Sequence, residues 1–221
     1  MWELLFNSFI VLFVVVDPIG LAPMFAALTH GGSLAYKRAM AIKGTMLAAA
    51  VLVVFVLVGE GLFRALGIGL PAFRIAGGAL LFLLAIDMVF ARHSGLRSTT
   101  LRELEEAEQR KDISVFPLAI PLIAGPGAIT TVLLLTGNGG AGALRTLAVL
   151  GVLAVVLLMT LISLLAAGRI MGIMGETGAN VITRVLGIIL AALAVQFMLD
   201  GLQLSFTTTT APVFSATGAG A

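Results

Sequence analysis

The sequence predicts an all-α integral membrane fold: six transmembrane helices forming two inverted three-helix repeats, with the first helix of each repeat broken. Three observations predict it: the composition, six long apolar stretches, and landmarks that recur between the halves at a near-constant spacing. Of 221 residues, 60% are hydrophobic and 11% are charged, and the mean hydropathy is +1.15. A soluble domain usually carries about 25% charged residues, so this chain has too little charge to cover a water-facing surface. A helix needs roughly 20 apolar residues to cross a ~30 Å hydrocarbon core, and that length recurs along the chain.

The first stretch, Leu4–Leu28, follows Met1-Trp2-Glu3. It has no basic leader and is too apolar for too long to be a signal peptide, so it reads as the first span. His30-Gly31-Gly32-Ser33 ends it. The second stretch is Met40–Leu62, and Gly67-Ile68-Gly69 separates it from the third, Leu70–Phe90, where Pro71 suits a first helical turn. Residues 91–112 differ in kind: Arg92, Arg97, Arg102, Arg110 and Lys111 stand against Glu103, Glu105, Glu106, Glu108 and Asp112. This charge pattern reads as a solvated linker, with a short surface helix around Leu101–Glu105. Ser114–Thr136, Leu144–Ala167 and Val181–Leu202 complete the six. The domain plan is therefore a first repeat over 1–90, the linker over 91–112, a second repeat over 113–204, and a disordered Thr/Ala/Gly-rich tail over 205–221.

Lys and Arg counts set the expected orientation. The odd loops carry ten (Lys37, Arg38, Lys43, the five of the linker, Arg169 and Arg184), and the even loops carry Arg64, Arg74 and Arg145. Basic residues gather on cytoplasmic loops, which puts the odd loops in the cytoplasm and both termini outside. The same rule accounts for the formal charge of +2 without nucleic acid.

The repeat rests on matched landmarks. Arg74-x-x-Gly77 and Arg184-x-x-Gly187 open apolar spans 110 residues apart, Met88 and Met198 keep that offset, and Pro18 meets Pro126 at 108. Three spans per half is an odd number, so the second half must enter from the opposite side. Inverted repeats with interrupted helices in matching positions point to a transporter with a midplane site.

The interruptions are Asp17-Pro18-Ile19-Gly20-Leu21-Ala22-Pro23 in the first span, and Pro117-Leu118-Ala119-Ile120-Pro121 with Gly125-Pro126-Gly127 in the fourth. Proline removes a donor and clashes with the carbonyl four residues back, and in lipid the freed groups need another partner. Asp17-Pro18 reads as an N-cap with proline at the first helical position, so capping its own half-helix is the plain structural role for Asp17. Gly125-Pro126 has the same pattern without a capping side chain. The N–H groups of Gly127, Ala128 and Ile129 are then expected to meet a substrate carboxylate at the positive end of a half-helix. Asp17, with Pro18 and Gly20 beside it, is expected to face a substrate ammonium or a coupling cation. The carbonyls of Ile19 and Pro117, released by Pro23 and Pro121, help hold that cation, and Thr130 and Thr131 add hydroxyls on the next turn.

Other residues read more simply. Glu60, Asp87 and Asp200 suit the membrane interface, Arg74 and Arg184 suit snorkelling or an inter-repeat salt bridge, and Gln196 suits a helix–helix hydrogen bond or the pocket wall. With no cysteine and only His30 and His93, both in loops, neither a metal site nor a catalytic triad is supported. An enzyme is not expected, nor any cofactor beyond a coupling Na+ or H+. The expected partners are a small neutral amino acid and the lipid bilayer, with a homo-oligomer left open.

At these residues the sequence resembles the MarC family, also called the neutral amino acid transporter family. The likeness is carried by Asp17-Pro18-Ile19-Gly20, by Pro71-Ala72-Phe73-Arg74-Ile75-Ala76-Gly77-Gly78, by Pro117-Leu118-Ala119-Ile120-Pro121 with Ala124-Gly125-Pro126-Gly127, and by Val195-Gln196-Phe197 with Gly201. It covers nearly the whole chain outside the linker and tail. The resemblance implies a bacterial inner-membrane protein of six helices, similar in plan to the lysine-exporter superfamily. It further implies transport of small neutral amino acids such as glycine and alanine, with sodium or proton coupling in some members. Leu21 is a departure, standing where many members carry Asn after Asp-Pro-x-Gly, and it removes a polar group from that position. An exporter or channel for another small solute is the alternative reading.

Overall fold

The computed structural model describes residues 2–90, 112–136 and 143–209. Apolar sequence with so little charge can satisfy its backbone in lipid only by internal hydrogen bonding, and the described residues are helical throughout apart from short connections. In chain order the elements are α1 (Trp2–Val16), α2 (Pro18–Leu28), α3 (Leu34–Leu66), α4 (Leu70–Val89), α5 (Ser114–Ile123), α6 (Pro126–Thr136), α7 (Ala143–Leu165) and α8 (Ala167–Thr209).

Five stretches are long and apolar enough to cross a membrane: Trp2–Leu28, Leu34–Gly59, Leu70–Val89, Ala143–Leu165 and Thr177–Phe206. Neither α5 nor α6 spans alone, at 10 and 11 residues. Together, bent by 53°, they are long and apolar enough for a sixth, broken span or a re-entrant loop. The expected all-helical membrane fold is thus present.

Each long span sends a leucine into the interior. Leu12, Leu52, Leu81, Leu118, Leu153 and Leu190 are all fully buried, one each on α1, α3, α4, α5, α7 and α8. The opposite faces carry exposed Val54, Leu57, Leu83, Leu158, Ile162 and Ile188, which suits contact with acyl chains. Lipid removes most of the hydrophobic drive between helices, so close backbone approach and dispersion must hold them together. The broad α4–α8 seam shows how. A Cβ at Gly78 would lie 2.7 Å from the Ala194 carbonyl and 2.6 Å from Met198 Cγ. On the other side of the seam, a Cβ at Gly187 would lie 2.9 Å from Met88 Cβ. Gly187 and Met88 are both among the landmarks that the sequence pairs at an offset of 110, whereas the glycine against Met198 is Gly78, the neighbour of Gly77.

Elsewhere α2 packs on α7 and α8, α6 packs on α3 and α4, α1 packs on α6, α7 and α8, and α5 packs on α3. Helices α2 and α6 are each 11 residues long and begin at Pro18 and Pro126.

Two local features differ from the sequence reading. The connection between the last two spans is itself largely helical: only Ala166 separates α7 from α8, and the helix breaks at Gly175 (φ 61°, ψ −178°), a conformation open to glycine alone, just before the span Thr177–Phe206. Arg184 lies within the last span, as its place in the stretch Val181–Leu202 implies. At the other end, α8 runs to Thr209, so residues 205–209 of the presumed tail are helical. The linker up to Lys111, the Gly137–Gly140 turn and the rest of the tail lie outside the described residues.

Candidate functional site

The first break is a single residue. Asp17 adopts φ 49° and ψ 67°, left-handed backbone that aspartate tolerates better than most side chains. Helical bonding nevertheless carries across it: the Asp17 N–H donates to the Phe13 carbonyl (2.9 Å) and the Leu21 N–H to the Asp17 carbonyl (3.1 Å). Pro18 has no N–H to satisfy, and the Gly20 N–H donates to Asp17 Oδ1 at 2.9 Å. The capping role read from the sequence is therefore made, and it leaves the second carboxylate oxygen for a partner elsewhere. That partner is Thr183 on α8, whose hydroxyl donates to Oδ2 at 3.0 Å. Beside it, the Ser163 hydroxyl of α7 donates to the Pro18 carbonyl at 2.6 Å.

Two hydrogen bonds thus tie the first break to the second half of the chain, and Asp17 is 0% exposed. Gly20 makes this geometry possible. A Cβ there would collide with Asp17 Oδ2 and lie 2.5 Å from Thr183 Oγ1, so only hydrogen fits beneath the two side chains.

The second break has different chemistry from the one expected of it. Peptide bonds Phe116–Pro117 and Ile120–Pro121 are cis, Phe116 and Ile120 are extended, and α5 is closed by wide i→i−5 bonds such as Ala124 N–H to Ala119 O (2.8 Å). The release of the Pro117 carbonyl by Pro121 presumed an α-helical turn. The turn here is π-helical instead, so Pro121 is not the residue that faces the Pro117 carbonyl. Pro23, by contrast, sits inside α2, where the Ile19 carbonyl meets no N–H four residues on.

In the first turn of α6 the Ile129 N–H donates to the Gly125 carbonyl at 3.0 Å, so it is not one of three bare donors. Gly127 is buried, its Cβ position 2.6 Å from Leu84 Cδ2 and 3.4 Å from Val15 Cγ1. Ala128 is buried too, whereas Pro126 is exposed. Thr130 packs its methyl against Gly77, and Thr131 is fully enclosed with no hydrogen-bond partner for its hydroxyl. The two breaks approach through Val15, two residues before Asp17, and Gly127, two residues after Gly125.

The ends of the second broken span are held separately. The Asp112 carboxylate accepts from the Ser114 hydroxyl (2.5 Å) and N–H (2.9 Å), and Lys43 of α3 lies 3.4 Å away. The Ser114 bonds first, and then the Lys43 charge, hold the Asp112 carboxyl below the usual carboxylate range. At the far end, Arg145 Nε–H donates to the Leu135 carbonyl of α6 at 3.0 Å.

Thr183 and Ser163 escaped the sequence reading. Their signal is a hydroxyl in an otherwise apolar span, and Thr183 directly precedes the Arg184-x-x-Gly187 landmark. Gln196 is not a pocket wall: its amide donates to Asp200 Oδ1 (2.7 Å) on the exposed side of α8.

Five apolar spans, a bent apolar helix pair that can form a sixth, and a buried carboxylate bonded across the helix bundle define a multi-pass integral membrane protein. The chain belongs to the MarC family of integral membrane proteins, whose model matches residues 2–206. It is 37% identical over 199 residues to a UPF0056 membrane protein of Aquifex aeolicus, covering 89% of this chain and 91% of that one. The UPF0056 membrane protein YvbG of Bacillus subtilis is 37% identical over 203 residues (92% and 96% covered). YhcE of Escherichia coli is 30% identical over 198 residues (90% and 91%). Relatives occur in archaea as well, including Archaeoglobus fulgidus at 36% identity over 197 residues. No solved structure matches the chain at a significant level.

Proposed function

We propose that this MarC-family protein is a secondary transporter of small neutral amino acids, of glycine or alanine size, working by alternating access between two inverted repeats in a bacterial inner membrane. The observation that carries the reading is the first break, a fully enclosed carboxylate on left-handed backbone inside a membrane span. Intramembrane carboxylates are functional candidates by default, and such backbone clusters where the surrounding fold holds it for a purpose.

In this reading Asp17 exchanges the Thr183 hydroxyl for a coupling Na+ or H+ or for the substrate ammonium, with the Ile19 carbonyl beside it. The amides of Gly127 and Ala128 take the substrate carboxylate once Val15 and Leu84 move aside, and Thr130 and Thr131 face its small side chain. The Thr183–Asp17 and Ser163–Pro18 bonds join the halves in this closed arrangement and are remade as the halves rock. The basic odd loops face the cytoplasm and both termini lie outside.

The test is uptake of labelled glycine and alanine into proteoliposomes holding the full chain, with sodium and proton gradients applied separately. Saturable, ion-driven uptake with counterflow is expected. No saturable flux of any neutral amino acid would overturn the substrate class, and flux without saturation or counterflow would make the protein a channel.

A further inference from the structure

A second feature lies away from both breaks. A cavity of about 630 Å³ opens where the end of α2, the start of α3 and the α7–α8 junction meet. Phe25, only 2% exposed, floors it, while Ile42 and Leu165 (44% and 49% exposed) form an open apolar rim. Lys37, Arg38 and Arg169 also line it. None of the three has a carboxylate within ion-pair distance among the described residues, where Lys43 is the lysine that pairs with Asp112. The C-terminal ends of α2 and α7 meet the cavity opposite the N-terminal ends of α3 and α8. Helix dipoles therefore offset one another, and side-chain charge decides its polarity.

Depth decides the ligand. The spans Trp2–Leu28, Leu34–Gly59 and Ala143–Leu165 all end or begin at this cavity, which places it at headgroup level. Three cations above an apolar slot at that level match an anionic phosphate with acyl chain below it, and basic pockets between transmembrane helices bind such headgroups. A volume of this size is ordinary for a specific ligand site. We propose that this cavity is a binding site for an anionic phospholipid, its phosphate held by Lys37, Arg38 and Arg169 and its first acyl carbons lying along Phe25, Ile42 and Leu165.

The experiment is native mass spectrometry and thermal unfolding of the full-length protein with phosphatidylglycerol, phosphatidylcholine or inorganic phosphate as probe. Wild-type protein should retain phosphatidylglycerol in preference to phosphatidylcholine by about tenfold or more, and be stabilised by it in a concentration-dependent way. Combined Lys37→Gln, Arg38→Gln and Arg169→Gln should lower that preference on the order of 10–100-fold. Equal charge removal in the linker, by Arg97→Gln, Arg102→Gln and Arg110→Gln, should leave it unchanged. Ile42→Trp keeps all three cations but fills the slot, and should weaken phosphatidylglycerol while sparing any phosphate effect, so the proposal survives a triple variant that folds poorly. Equal loss in the linker variant would mean diffuse charge attraction and overturn the site. Stabilisation by inorganic phosphate equal to that by the lipid would make it a free-anion site and also overturn the proposal.

Discussion

At the scale of single residues, Asp17 combines two roles that can be separated by substitution. Asn keeps a capping oxygen and the tolerance for left-handed backbone. Asp17→Asn should therefore stay within about 1 kcal/mol of wild type in unfolding yet lose ion-dependent uptake at least tenfold in the proteoliposome assay. Unchanged uptake with unchanged ion dependence would remove Asp17 from the mechanism. Gly20→Ala tests the same geometry from below. Its methyl would have to enter the space of Asp17 Oδ2 and Thr183 Oγ1, so a loss of about 1–3 kcal/mol is expected from forced side-chain and backbone shifts. A Gly20→Ala protein as stable as wild type would show that the Asp17–Thr183 contact is not maintained in the membrane.

At the scale of elements, the broken spans differ because their sequences supply different partners. Asp17 brings its own acceptor to α2, and helical hydrogen bonding carries the first span across the break. The α5–α6 pair has prolines at 117, 121 and 126 and no capping side chain, and it bends by 53°. Asp112 anchors the entry to that pair. Its carboxyl sits below its unfolded pKa of about 3.9, so its contribution is present in full above that value and is lost as pH falls through the lower folded value. Asp112→Asn should thus melt slightly lower than wild type at pH 7, by less than about 1 kcal/mol because both members of the Lys43 pair are half exposed. The gap should close as pH drops well below about 4. Thermal unfolding in detergent across that range checks it, and a gap independent of pH would assign the effect to something other than charge.

At the scale of the whole molecule, the placement of basic residues makes a prediction about topology. A chain free of cysteine allows single thiols to report orientation without background. Lys37→Cys should react with an impermeant maleimide only after the cells are opened, and Ile68→Cys, in the loop between α3 and α4, should react on intact cells. The opposite pattern would invert the topology.

Much of this was legible in the chain itself. Helical spans in lipid need only length and low charge, both of which are local properties, and so the six apolar stretches, the Asp17 cap and the Arg-x-x-Gly landmarks could be read residue by residue. That the connection between the last two spans is helical up to a break at Gly175 was not legible, because the position of such a break depends on backbone angles that composition does not fix. Partners across the bundle depend on helix rotation and on distances of a few ångströms, which no local pattern encodes. Tertiary structure alone therefore decided that Thr183 and Ser163 close the first break, that Leu84 and Val15 cover Gly127, and that Lys37, Arg38 and Arg169 share one cavity.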